Sequence, residues 1–159
     1  MRPLTDKTPK PLLKIDGVSL LERHIFRLKE AGFKDLIINV SYLADQIIEF
    51  VSNVSFGVNI RFSFEEEPLE TAGGVVKALP FLGDLPFLLI NADIWTDFEF
   101  KNIFTIDLSE NTLAHLVLVK NPPEHSCGDF ELDNFMVNKT HGGESLTYTG
   151  IGIYRPCLF

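Results

Sequence analysis

Hydrophobic positions recur along this chain in two alternating rhythms. In residues 19–33, Leu20, Leu21, Ile25 and Leu28 share one face of a 3.6-residue period. Ser19 stands where an N-cap belongs, Glu22 follows three residues on, and Gly32 can close the helix. Residues 34–40 (KDLIINV) form a continuous apolar run, the pattern of a strand covered on both faces. Residues 43–53 predict a second amphipathic helix, and the alternation in 58–65 (VNIRFSFE) predicts a strand with one wetter face. A glycine turn followed by a short helix is expected over 71–83, and a buried strand over 86–93 (PFLLINAD). Residues 101–111 read as a weak helix, because Ile and Thr disfavour it, and 114–121 (AHLVLVKN) as a third buried strand. Short β-like pieces follow: DFELD, FMVN and LTYTGIGIY. Residues 1–17 hold three prolines and three lysines and read as a loop. The alternation from Ser19 to Asn121 predicts an α/β fold, a doubly wound, mostly parallel, Rossmann-like sheet with antiparallel C-terminal additions.

Composition narrows the function without naming it. A length of 159 residues suits a single domain, and 45% hydrophobic content suffices for a sizeable core. The net charge of −8 argues against long nucleic acid and anionic membranes as partners. A phosphate-bearing small molecule remains compatible, since a few lysines and backbone amides can bind one locally. No apolar run is long enough to span a bilayer. The start shows no signal-peptide pattern, so Cys127 and Cys157 are expected to be free thiols in a cytoplasmic protein.

Three stretches can carry chemistry. The apolar strand PFLLI ends in Asn91, Ala92 and Asp93, and open α/β sheets bind ligands beyond the carboxyl ends of their strands. Asp93 there reads equally as a cation ligand or as a turn residue, whereas Asp97 reads as a turn or cap. Gly73 and Gly74 let a backbone approach a base or phosphate closely, though glycine pairs commonly make plain turns. Lys10 is stiffened by Pro9 and Pro11 and can present its ammonium at a fixed place, or simply lie in solvent. His24 is expected to be a partly exposed helix residue. His115 begins a strand, and His125 and His141 lie in polar loops. None of these has zinc-site spacing, and FEEEPLE is expected to be a solvated face.

Taken in order, Pro3-Leu4-Thr5, Pro9-Lys10-Pro11-Leu12, EPLETAGGV, INADIW, GDFELD and YTGIGIYRP resemble the sugar-1-phosphate nucleotidyltransferases over essentially the whole chain. The resemblance implies a nucleotide-diphospho-sugar transferase type of sheet. It implies nucleotidyl transfer from a nucleoside triphosphate to a sugar 1-phosphate, with Mg²⁺ as cofactor. Lys10 would bind phosphate near the reacting centre and Asp93 would be the metal ligand. Glu70, Ala72, Gly73 and Gly74 would line base and ribose, with Asn91 beside the nucleotide. Gly128, Asp129, Thr149 and Gly150 would face the sugar. Glu70 favours UTP, because guanylyltransferase relatives tend to carry glycine there; Ala72 points the other way. In the family, a first strand, a glycine-rich phosphate loop and its arginine precede the position of Met1, and a second metal aspartate follows the last residue. The resemblance therefore implies that residues 1–159 are one nucleotidyltransferase domain, incomplete at both ends and poorly active alone. The alternatives are a mannose-1-phosphate guanylyltransferase, a catalytically inactive binding module of the same descent, and an unrelated dinucleotide binder, the weakest for want of GxGxxG.

Overall fold

The computed structural model describes residues 4–67, 69–139 and 145–159; Pro3, Pro68 and His141 lie outside the described residues. The chain forms two compact units. One comprises Met1–Leu85, Ala92–Asp107 and Pro156–Phe159, the other Pro86–Asn91 and Leu108–Arg155.

In the first unit, two 3₁₀ turns (Leu4–Asp6 and Lys10–Leu12) lead into an antiparallel hairpin of β1 (Lys14–Ile15) and β2 (Val18–Ser19). The stretch expected to be wholly loop thus ends in a hairpin. Asp16 and Gly17 make its turn at φ 52° and 80°. Two-residue hairpin turns of type I′ need positive φ at both positions, which is why Asp-Gly is among their strongest signals. Helix α1 (Leu20–Ala31) follows, with Glu22 N donating to Ser19 Oγ at 3.1 Å and Gly32 closing it at φ 104°. Its predicted apolar face is buried, and so is His24, at 6% exposure; the expectation of a partly exposed histidine is corrected. Position 24 falls on the same stripe as Leu21, Ile25 and Leu28, and burial follows the stripe.

Strands β3 (Asp35–Val40) and β4 (Asn59–Phe64) pair in parallel around the crossover helix α2 (Ala44–Ser52). Leu21, Ile25, Val40, Ile47, Val51 and Phe56 form the core they share with α1. Only Val40 of β3 is fully buried, less cover than its apolar run predicts; among the described residues β3 pairs with β4 alone. β4 alternates as expected until Phe62 and then inverts, with Ser63 buried and Phe64 exposed. Helix α3 (Glu70–Leu82) begins before its glycines, so Gly73 and Gly74 lie inside it and not in a turn ahead of it. The weak helix expected over 101–111 is a 3₁₀ helix, Phe100–Thr105. Beyond it, 107–111 offers no apolar face to bury.

The second unit is antiparallel throughout. β9 (Ser145–Tyr154) pairs with β5 (Phe87–Ile90), with β6 (Ala114–Lys120) and with β7 (Phe130–Asp133), and β7 continues to β8 (Met136–Lys139). Ile151, with no exposure, and Ile153 are buried at its centre. The α/β class holds: the β3–β4 pair is parallel, and the antiparallel part predicted for the tail also takes in β5 and β6. No helix among the described residues is long and apolar enough to cross a membrane.

Candidate active site

Lys10 sits in the second 3₁₀ turn, held between two prolines, and its Nζ lies 3.6 Å from Asp93 Oδ2. Both side chains are open to solvent, at 55% and 37% exposure. An exposed pair of this kind is worth only about 0–1 kcal/mol, so either partner can exchange the other for a ligand of opposite charge. The ammonium suits a phosphate oxygen. The carboxylate suits a hard divalent cation. Among the described residues no group of three or more His, Cys, Asp or Glu could enclose a metal ion. That donor set fits Mg²⁺ bound through one or two carboxylates, waters and substrate phosphates better than an all-protein cage.

The backbone after Asp93 is fastened to α1. His24 Nε2 donates to Ile94 O at 2.9 Å; Arg27 donates to Thr96 O and, at 2.5 Å, to Phe98 O. The Arg27 guanidinium also lies 5.1 Å from the centroid of the Phe100 ring. Donating through Nε2 leaves His24 Nδ1 buried with no partner among the described residues. Burial pushes the His24 pKa below its usual value and Arg27 adds to this, while the Ile94 bond and Asp93 pull the other way. Neither His24 nor Arg27 was singled out by sequence as functional, although their i, i+3 spacing puts them on one helix face.

At the start of α3, Glu70 and Ala72 are exposed and Glu70 adopts φ 61°. The glycines there make room for protein. A Cβ on Gly74 would lie 2.6 Å from both Asn39 Nδ2 and Glu65 Oε1, and one on Gly73 would lie 2.8 Å from Leu69 Cβ. Glu65 also accepts from Leu69 N at 3.1 Å, tying the end of β4 to the start of α3.

In the second unit, Asn91 N donates to Gly150 O at 2.9 Å, and a Cβ on Gly150 would lie 2.7 Å from Asn91 Nδ2. Gly150 has φ 79° and stands where the β6–β9 register shifts, a place that suits glycine. Asp129 accepts from Tyr148 N at 2.8 Å and lies 3.0 Å from His125 Nε2. Thr149 Oγ1 donates to Val117 O at 2.8 Å. A Cβ on Gly128 would lie 2.7 Å from Asn121 Oδ1 and from Ser145 Oγ. Asn121, which sequence reading passed over, donates to Ser126 O and accepts from Thr147 Oγ1, so it organises this loop. The polar groups of Asp129 and Thr149 therefore shape the loop and strand that carry Gly128 and Gly150. Nearby, the Tyr148 and Tyr154 hydroxyls lie 2.9 Å apart, and burial raises both pKa values.

A family model for nucleotidyl transferases matches residues 1–140. The N-acetylmuramate alpha-1-phosphate uridylyltransferase of Neisseria meningitidis serogroup B is 48% identical over all of this chain and 71% of its own length. The chain belongs to the sugar-1-phosphate nucleotidyltransferase family. A mannose-1-phosphate guanyltransferase of Yarrowia lipolytica is 31% identical over 99% of the chain, which spans only 47% of that enzyme. Among solved structures, HddC from Yersinia pseudotuberculosis superposes with TM-score 0.77 at 27% identity, covering 94% of this chain and 68% of HddC. An apo UDP-glucose pyrophosphorylase, at TM-score 0.73 and 16% identity over all of this chain and 73% of that one, shares the fold. In this nucleotidyltransferase Lys10 and Asp93 come together in one unit, and Asn91 and Gly150 in the other.

Proposed function

We propose that the protein transfers a uridylyl group from UTP to N-acetylmuramate 1-phosphate, releasing pyrophosphate, in the recycling of cell-wall sugars in the cytoplasm. The observation that carries this reading is the 48% identity to the Neisseria enzyme over the entire chain. The sugar phosphate oxygen attacks the α-phosphorus of UTP and pyrophosphate leaves from the opposite side. Such a reaction needs in-line positioning and neutralised charge more than covalent help from the protein. Lys10, freed from Asp93 by the incoming phosphate, supplies a cation at a backbone-fixed place. Asp93 would hold Mg²⁺, which when bound supplies positive charge to the phosphates. Glu70 and Ala72, exposed at the start of α3, contact base and ribose, while Gly74 lets the helix lie close to Asn39 and Glu65 and Gly73 lets it lie close to Leu69. Asn91 lies beside the nucleotide. Gly128 and Gly150 meet the sugar through backbone, in shapes set by Asp129 and Thr149.

A second reading is guanylyl transfer to mannose 1-phosphate. It draws on Ala72 and on the guanyltransferase relatives, 30–35% identical to this chain. HddC has moreover been solved in complex with GMP-PN. Competition among the four nucleoside triphosphates in the intact enzyme separates the two. UTP is expected to win, and Glu70→Gly to narrow its lead over GTP, since excluding a larger ring by one side chain is worth about 10–200-fold. A preference for GTP in the unmodified enzyme would replace the first reading with the second.

A further inference from the structure

Three carbonyls after Asp93 are taken by one helix. The acceptors are Ile94, Thr96 and Phe98, every second residue; the donors are His24 and Arg27, three apart on α1. The donors are themselves fixed. His24 is 6% exposed, and Arg27 lies against Phe100, which is 2% exposed. Hydrogen bonds from a charged guanidinium are roughly twice as strong as neutral ones, and its fork lets one side chain fasten two carbonyls. By contrast, among the described residues Asp93 forms an ion pair with Lys10 alone, at 3.6 Å and open to water. That pair is too weak to fix the direction of the carboxylate. What the structure does fasten is the backbone that follows the carboxylate.

We infer that His24 and Arg27 are positioning residues for the transfer reaction, holding the 94–98 backbone so that the Asp93 carboxylate stays set for a divalent cation. The inference rests on the proposed role of Asp93. Partners that orient a metal ligand from behind typically change metal affinity or activity 10–100-fold when removed. A residue that only supported the fold would change melting behaviour and leave the cation requirement alone.

The chain carries its own reporter, because Trp95 is its single tryptophan, is 59% exposed and lies inside the fastened segment. In the intact enzyme, with any tryptophan outside these 159 residues replaced by phenylalanine and without metal or nucleotide, Arg27→Met should enlarge the fast component of Trp95 anisotropy decay, with circular dichroism unchanged. The Mg²⁺ concentration for half-maximal pyrophosphate release should rise about 10–100-fold, with the sugar-phosphate KM unchanged. Arg27→Lys, which keeps the charge and loses the fork, should fall between. His24→Gln should keep the bond to Ile94 O and restore most of the wild-type Mg²⁺ response, and His24→Leu should not. A loosened Trp95 with an unchanged Mg²⁺ midpoint would overturn the inference. So would a shifted midpoint with Trp95 as rigid as before. Asp93→Asn in the same assay keeps the two levels apart. Near-normal turnover there would remove Asp93 from the reaction, whereas loss of turnover with Mg²⁺-insensitive Arg27 variants would remove only the positioning role.

Discussion

Below neutral pH, His24 becomes a burden on the folded chain. Burial lowers its pKa there, so the unfolded chain takes up a proton near pH 6.5 while the native protein still resists it. The stability this residue contributes is therefore fully present above about pH 6.5 and is lost as the pH falls through its lower folded value. Denaturant titrations from pH 7.5 downward should show that loss, and His24→Gln should flatten it. An unchanged slope in that variant would mean that other groups set the acid limb. Glu70 carries a different cost. Its φ of 61° is a left-handed conformation that a side chain disfavours. Glu70→Gly should therefore raise stability by about 0.5–1 kcal/mol, the relief of strain outweighing glycine's greater freedom in the unfolded chain. A lower denaturation midpoint for Glu70→Gly would show that the glutamate side chain makes stabilising contacts. If the variant gains stability and loses base discrimination, that strain is maintained for specificity.

At the scale of elements, α1 has two tasks. Its apolar stripe enters the core, and the edge of that stripe supplies His24 and Arg27 to the segment after Asp93. The helix begins at a Ser19 cap whose Oγ accepts from Glu22 N. Ser19→Ala should lower stability by about 0.5–2 kcal/mol, read from the thermal or denaturant midpoint. Because Ser19 is 1% exposed and also ends β2, the effect is expected toward the upper end of that range. Ser19→Asp, which can also cap, should recover less than it would at a surface cap, since a buried carboxylate must be desolvated. The periodic elements were legible in the sequence because each buries one face. α1 and α2 follow the spacing of their own apolar residues, and β4 does so as far as Phe62. The β1–β2 hairpin reads as loop in the sequence, because strands of two residues are too short to show a period, although Asp16-Gly17 signals a tight turn. The start of α3 was not legible, because glycines that usually mark a turn here serve close packing against Asn39, Glu65 and Leu69.

At the scale of the molecule, the parallel β3–β4 pair and the antiparallel sheet around β9 lie in separate compact units, each with its own buried residues. Apolar runs such as FLLI and HLVLV announce strands but not their partners. β5 and β6 both pair with β9, which is far from them in sequence, and no local pattern encodes that choice. The chemistry divides the same way. Lys10 between prolines, Asp93 after an apolar strand and the exposed Glu70 were readable by residue type and order, and the family follows from that order. By itself the sequence determined the helices, the strands and the kinds of groups available, because these depend on periodicity, caps and turn residues within a few positions. Only the tertiary structure decided that Lys10 meets Asp93, that His24 is buried, that Arg27 grips the segment beyond it, and that Gly73, Gly74, Gly128 and Gly150 make room for protein side chains. Those outcomes depend on contacts between residues as far as 83 positions apart, such as Lys10 and Asp93, and only folding brings such residues within reach of short-range forces.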